Sequence, residues 1–508
     1  MPKKYDVIVV GAGSAGAALA TRLSENPNRQ VLLIEAGKDY ANLDELPDEI
    51  LQGHATGTDL AIDPDGEHNW GFKARATQLH ENMDVPRGKI TGGTSAINGQ
   101  VYLRAIPEDF DFWVSEGNDE WSYEKVLPAM KRLENDLDIS DQYHGNDGPI
   151  VIRRYQPDEL VDDQAAFINA VTDAGFSRTE DHNHPASSGV GPLPLNNPDG
   201  IRWSTAIGYL SMARDRSNFS IDSECFTRRV LVEGGRAVGV EYERNGIIEQ
   251  VYADEVVLSA GPIGSPHLLM HSGIGPAGQL EAHDLEVVVD SPGVGQNLRD
   301  HPSVHVRWRA ADDFPMPDVL QGPQKTALRY TARGSELRND MIAVMRWNSV
   351  SREFLMSAGL YLAKAAGEMR LVSSDPHDQL FLDYNLLDHP YDLSRMREAV
   401  KMHIEFGKHE SYAPILEELI DPLPHHLEND DTLNEWLLAN AHTMHHVSCT
   451  AKMGPDSDPM AVVDQYGRVK GVEGLRVCDL SIMPDCPRAN TNSPAMMIGE
   501  RIAEFMTS

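Results

Sequence analysis

Cysteine is scarce: four in 508 residues, Cys225, Cys449, Cys478 and Cys486. They are too few and too scattered for a disulfide framework and lack the close pairing of a zinc site. Reduced thiols and a cytoplasmic location are therefore expected. Basic residues are also few. Lys and Arg number 44 against 78 Asp and Glu, a formal charge of −34. Such a balance argues against nucleic acid or an anionic membrane surface as partner, because phosphates are bound mainly through Lys and Arg. It favours solubility and is compatible with a salt-tolerant host. No apolar run approaches the roughly 20 residues of a membrane-spanning helix. The first apolar run, Val7 to Val10, is too short for the core of a signal peptide, and glycines interrupt it at once. Internal repeats and low-complexity tracts are missing too. What remains is an ordinary globular mixture, 41% hydrophobic and 24% charged, long enough for two or more domains.

The opening of the chain has the order that a dinucleotide site requires. A β-branched strand, Val7 to Val10, runs into Gly11-Ala12-Gly13-Ser14-Ala15-Gly16, then a segment of helical composition, then the strand Val31 to Ile34 ending at Glu35. Gly11 allows the tight turn, Gly13 lets the backbone approach a pyrophosphate, and Gly16 permits close helix–strand packing. The helix N-terminus offers unpaired N–H groups and a partial positive charge to the phosphates. Glu35 is placed to accept hydrogen bonds from a ribose, and an acid at that position disfavours NADP. The motif by itself does not separate FAD from NAD.

Further segments do. Pro86-Arg87-Gly88-Lys89-Ile90-Thr91-Gly92-Gly93-Thr94-Ser95-Ala96-Ile97-Asn98-Gly99 is rich in glycine and small hydroxyl residues, a loop whose backbone can lie against a flat polar ring. Ser259-Ala260-Gly261-Pro262-Ile263-Gly264-Ser265-Pro266 follows a buried-strand pattern at Val256 to Leu258. With Asp109-Phe110-Asp111-Phe112-Trp113, Pro292-Gly293-Val294-Gly295-Gln296-Asn297-Leu298 and Asp300-His301-Pro302, these segments resemble the glucose–methanol–choline (GMC) oxidoreductases, in the bacterial choline-dehydrogenase-like branch. The resemblance covers nearly the whole chain. It implies an FAD site built from Gly11, Gly13, Ser14, Ala15, Gly16, Glu35, Ala36, Arg87, Gly88, Gly92, Gly93, Thr94, Asn98, Gly99 and Val101. Later contributions are implied from Thr227, Ala260, Gly261, Ser265, Asp479, Leu480, Asn490 and Thr491. Members with covalently attached flavin carry a His before the Asn of the first signature. Here that residue is Ile97, which has no nucleophilic atom, so the FAD is expected to be noncovalent.

The last 70 or so residues carry the densest chemistry. His442, His445 and His446 lie within five positions, but without a second ligand cluster they do not make a metal site, and none is expected. His442 and His445 read as structural histidines. His446, followed by Cys449-Thr450-Ala451-Lys452-Met453-Gly454, is similar to the family's His-x-x-x-Thr-x-x-Met-Gly pattern, which implies that it is the base. A neutral imidazole can take the hydroxyl proton while hydride leaves the same carbon for flavin N5, with a deprotonation expected near pH 6–8. The family places a second His or Asn eight residues before the acid of its terminal helix. Counting from Glu500, that slot is Asn492, an amide able to hydrogen-bond the substrate oxygen. Asn490 reads as a turn or a flavin contact.

The resulting expectation is an α/β (α+β) protein: a Rossmann-type FAD-binding domain from residues 1–155, 200–305 and 440–508, with a discontinuous substrate-binding domain, 156–199 and 306–439, on a mostly antiparallel sheet. Ala358 to Ala366 reads as a core helix, and Glu428-Asn429-Asp430-Asp431 as an exposed helix start. His305, Arg307, Trp308, Trp347 and Tyr361 read as scaffold, with no cluster that names an alcohol. The activity implied is FAD-dependent oxidation of a small-molecule CH–OH donor, primary alcohols ahead of secondary. Electrons would pass to O2 or to another acceptor, the resemblance to choline-dehydrogenase-like members leaning to the latter, and the oligomeric state is open. The alternatives are a hydroxynitrile lyase of the same fold and a noncatalytic flavin-binding partner.

Overall fold

A computed structural model describes residues 4–322 and 324–507, apart from the side chains of 55 and 56. Two sheets organise it. The first is built on the strand Lys4–Val10, whose β-branched residues are buried on both faces, as in the middle of a parallel sheet. Val31–Ile34 and then Phe219–Asp222 extend it in parallel on one side, and Ile247–Leu258 on the other. The last of these strands is long enough to serve two partners. Its start pairs antiparallel with Arg236–Arg244, which pairs in turn with Phe226–Glu233, while its end pairs in parallel with Leu475–Val477.

Helix Ser14–Leu23 follows the first strand, and the terminal helix Asn492–Thr507 lies along it. A Cβ added at Gly499 would fall 2.5 Å from the Ala15 carbonyl oxygen, so the close approach depends on glycine there. Beside it the fully buried Glu500 accepts hydrogen bonds from Arg22 Nε at 2.9 Å, Arg132 Nε at 2.6 Å and the Tyr209 hydroxyl at 2.7 Å. Such a paired carboxylate holds the two helices in register.

The second sheet runs in the order Leu416–Asp421, Pro302–Ala310, Glu353–Leu360, Met341–Asn348, Thr326–Tyr330, Gly189–Pro192, all antiparallel, with His442–Thr443 paired to the start of Pro302–Ala310. Helix Pro390–Gly407 packs on one face. The expected helix over Ala358 to Ala366 is therefore corrected: its first residues end the strand Glu353–Leu360. A central strand with both faces covered has an unbroken apolar run, which periodicity cannot tell from a buried helix. Two strands also cross the expected domain limits, since Pro302–Ala310 passes residue 305 and His442–Thr443 lies after 440. The acidic run does start a helix, with Asn429 accepting from the Asp431 and Thr432 amides ahead of Asp430–Asn440. Among the described residues no helix is long and apolar enough to cross a membrane.

Candidate active site

A cavity of about 1330 Å³ opens between the sheets, from the C-terminal ends of Lys4–Val10 and Val31–Ile34 to the inner face of the antiparallel sheet. Its first half is a backbone cradle. Gly11 sits at φ +100°, and a Cβ there would be 2.4 Å from the Ser259 oxygen; one on Gly93 would be 2.6 Å from the Gly13 Cα. The two glycine-rich loops thus touch each other through bare backbone. A Cβ on Gly16 would fall 2.0 Å from the Gly11 carbonyl oxygen, so no side chain fits, and the residue packs the helix rather than lining the cavity. Gly92 and Ser265 are likewise behind the surface. Gly92 N donates to the Ala12 carbonyl at 2.8 Å, and the Ser265 hydroxyl donates to Asp479 Oδ2 at 2.5 Å. The other expected cofactor residues, from Gly11 through Thr491, all line the cavity.

Glu35 closes the cradle. Its two oxygens accept from the Ala12 and Gly37 amides, each at 2.9 Å. Burial nevertheless pushes its carboxyl up to about 7, against the pull of those amides. Asp479 is held the same way, by Gly261 N at 3.0 Å and Ser481 N at 2.8 Å besides Ser265, which ties the second glycine loop to the end of the chain. Arg87 Nε and Nη2 and the Thr227 hydroxyl are buried on the cavity wall without a hydrogen-bond partner among the described residues. Unmet donors beside a glycine cradle and a carboxylate fit FAD, whose phosphates, ribose and ring edges are acceptor-rich. Ile97, buried on the same wall, presents only hydrocarbon.

The catalytic end is organised by Asp300. Its Oδ1 accepts from the main-chain amides of His301 at 2.6 Å and His446 at 3.0 Å, and Oδ2 takes the Thr443 hydroxyl. Burial raises this carboxyl to about 6. The two imidazoles then meet, His301 Nδ1 to His446 Nδ1 at 2.8 Å. On its other side His446 Nε2 faces Asn490 Nδ2 at 3.2 Å. Burial holds His446 well below the ordinary histidine range, and the neighbouring His301, His445 and Arg87 push in the same direction.

Asn492, the expected partner, lines the cavity but its hydrogen bond is not to His446. The hydrogen bond that Asn492 makes is to Ser14, its Oδ1 accepting from the hydroxyl at 2.7 Å, and the residue beside His446 is Asn490. Asn492 is the first residue of the terminal helix and goes where that helix is clamped, against the start of Ser14–Leu23. Asn490 lies in the link ahead of it. His442 and His445 are also not core histidines: both are exposed and line the cavity, with His442 edge-on to His80 at 5.1 Å. His305 lines it too, while Arg307, Trp308, Trp347 and Tyr361 do not. The close carboxylate–imidazole group elsewhere, Glu134, Asp136 and His144, has its acids engaged by Arg104 and Arg154.

The family models described as GMC oxidoreductase match residues 5–303 and 363–499. The chain belongs to the GMC oxidoreductases. Within this GMC family it is similar to the oxygen-dependent choline dehydrogenase of Vibrio vulnificus, 35% identical over 541 residues and covering 100% of this chain and 95% of that protein. The mitochondrial choline dehydrogenase of Homo sapiens is 33% identical, over 99% of this chain and 90% of that one. Among solved structures, pyridoxine 4-oxidase from Mesorbium loti superposes with a TM-score of 0.91 at 29% identity, covering 99% of both chains. This GMC protein is accordingly an FAD-dependent alcohol oxidoreductase. His301 went unassigned in the sequence although it stands in Asp300-His301-Pro302. A buried His beside an Asp before a strand was the available signal, but its partner lies 145 residues away.

Proposed function

We propose that the cavity oxidises a primary alcohol, with His446 as proton acceptor and Asn490 orienting the substrate oxygen. The observation that carries this reading is the His446 imidazole, buried, uncharged at neutral pH and held between His301 and Asn490. Proton placement follows from the neighbours. The Asn490 amide N–H donates to His446 Nε2, so the His446 proton sits on Nδ1 and His301 Nδ1 accepts it. His446 then donates from Nδ1, and its Nε2 keeps a lone pair on the cavity side. A hydroxyl placed there gives its proton to Nε2. The Asn490 amide N–H, freed from Nε2, is left to hydrogen-bond the oxygen as it gains negative charge. Bound FAD supplies the acceptor for the hydride that leaves the same carbon. Asp300 keeps the main chain of both histidines in place.

The two sheets support a division into an FAD-binding part and a substrate-binding part near the limits drawn from the sequence, with Pro302–Ala310 and His442–Thr443 assigned to the second. The relatives include an oxygen-dependent choline dehydrogenase, a mitochondrial choline dehydrogenase and an oxidase, so they do not choose between O2 and another acceptor, and the acidic chain with reduced thiols favours the cytoplasm. The test is anaerobic bleaching of the flavin across a panel of primary alcohols, secondary alcohols, amines and acids, followed by admission of air. Bleaching by primary alcohols is expected, and the rate of recolouring in air reports whether O2 or another acceptor takes the electrons. Bleaching by amines or acids alone would overturn the reading.

A further inference from the structure

The inner face of the antiparallel sheet carries an arginine with nothing to hold. Arg307 forks onto Glu353, Arg309 reaches Glu418, and Arg329 donates to the His182 and Arg488 carbonyls. Arg346, on the strand Met341–Asn348, lines the cavity and makes no hydrogen bond or ion pair among the described residues. Its charge is felt at His305 and His445, two other lining residues, so it faces the substrate side of the cavity rather than the phosphate cradle. The carboxylate acting on it is Asp59, an exposed residue outside ion-pair distance.

The strand register says what lies between this cation and the catalytic pair. Ile342, Val344 and Arg346 alternate onto one face, and all three line the cavity. Ile342 pairs with Gly359, which pairs with Ser303, two residues from His301. The wall therefore runs from the catalytic end through two aliphatic side chains to a guanidinium, roughly 13 Å along the strand. An unpaired guanidinium withdrawn from bulk water is a site for a carboxylate, which it can grip with two N–H donors. For a cationic amino alcohol the same position is repulsive, and the aromatic residues of the cavity, Trp70, Phe72 and Phe226, are clustered on one another by Thr227 and do not cage this wall.

We propose that Arg346 receives a carboxylate on the substrate, so that this enzyme oxidises a hydroxy acid whose hydroxyl and acid groups are separated by an apolar spacer. The proposal rests on the reading of the cavity as an alcohol-oxidation site and narrows its substrate class. The test uses the FAD-loaded enzyme in two arms. In the first, anaerobic flavin reduction is compared for ω-hydroxy acids of three to six carbons, the matching n-alcohols, and choline. The wild type should favour the best hydroxy acid over its alcohol by about 10- to 100-fold in kcat/KM, the range of a charge-assisted hydrogen bond. That ratio should collapse in Arg346→Met and recover in part in Arg346→Lys. In the second arm, hexanoate, which has no hydroxyl to oxidise, is titrated against the flavin absorbance. Its Kd should rise about 10-fold or more in Arg346→Met and fall in Asp59→Asn, which removes the opposing charge. Choline outperforming every hydroxy acid, or a hexanoate Kd indifferent to Arg346→Met, would overturn the proposal. If no alcohol bleaches the flavin, the alcohol-oxidation reading fails, while the hexanoate arm still reports on Arg346. The wild-type preference needs no variant, so a poorly folding Arg346→Met leaves it decisive.

Discussion

His301 Nδ1 and His446 Nδ1 stand 2.8 Å apart in the buried wall of the cavity, and one proton serves both. Two rings so placed cannot both be charged, and burial already disfavours charge on either: His301 is pushed down to about 3 and His446 well below its ordinary range. The deprotonation near pH 6–8 expected from the sequence is thereby withdrawn. His446 is neutral, and competent as a base, throughout that range. Anaerobic stopped-flow flavin reduction should be flat from about pH 6 to 8, because a base with a depressed pKa loses activity only at lower pH. His301→Ala should slow reduction by about 10- to 100-fold without loss of FAD, because Nδ1 of His446 loses the partner that fixes its tautomer. A sigmoid rising through pH 7 in the wild type would contradict this arrangement.

The two asparagines separate the site's chemistry from its scaffold. His446→Ala should lower the reduction rate by about 10²–10⁴-fold. Asn490→Ala should cost about 10–10³-fold, through loss of the hydrogen bond to the developing alkoxide. Asn492→Ala should leave the reduction rate nearer wild type and instead weaken FAD retention, because its amide is spent on Ser14 in the dinucleotide loop. Flavin-to-protein ratios and single-turnover rates measured side by side distinguish the two. A larger rate loss for Asn492→Ala than for Asn490→Ala would return the catalytic role to Asn492.

Glu35 links cofactor affinity to pH. Burial raises its carboxyl to about 7, and ribose hydroxyls donating to it favour the charged form. The sign follows: FAD binding expels a proton, so affinity for the apoenzyme should strengthen as pH rises from about 6 to 8 and level off above. Glu35→Gln should abolish that dependence, and Glu35→Ala should cost about 1.5–3 kcal/mol of binding. Fluorescence titration of apoenzyme with FAD at several pH values measures both.

Cofactor attachment turns on one side chain. Ile97 is buried on the cavity wall and offers no atom able to bond the flavin. Acid precipitation of the holoenzyme should leave all the yellow flavin in the supernatant; colour pelleting with the polypeptide would refute noncovalent binding.

Legibility in the sequence followed the span of the contacts. The dinucleotide loop could be read directly because its physics is local: Gly11, Gly13 and Gly16 meet the needs of one turn and one helix start, and Glu35 returns to the Ala12 amide across 23 residues. Val7 to Val10 declared a buried strand, and Ile97 declared the absence of a covalent link. Ala358 to Ala366 misled because apolar density marks burial without marking the backbone shape. The catalytic partnership was beyond the linear pattern. Asn490 and Asn492 have the same chemistry two positions apart, and what separates them is where the terminal helix begins and which helix it is clamped to through Gly499 and Glu500. His301 reaches His446 across 145 residues, and Arg346 is singled out only by the lack of a partner that its sheet neighbours have. Short-range spacing marked a dinucleotide site, and the family resemblance that the motifs carry implied the cofactor and the class of chemistry. Which groups face one another across the cavity, and therefore which proton moves and which charge the substrate meets, was decided by the packing of two sheets far apart in the chain.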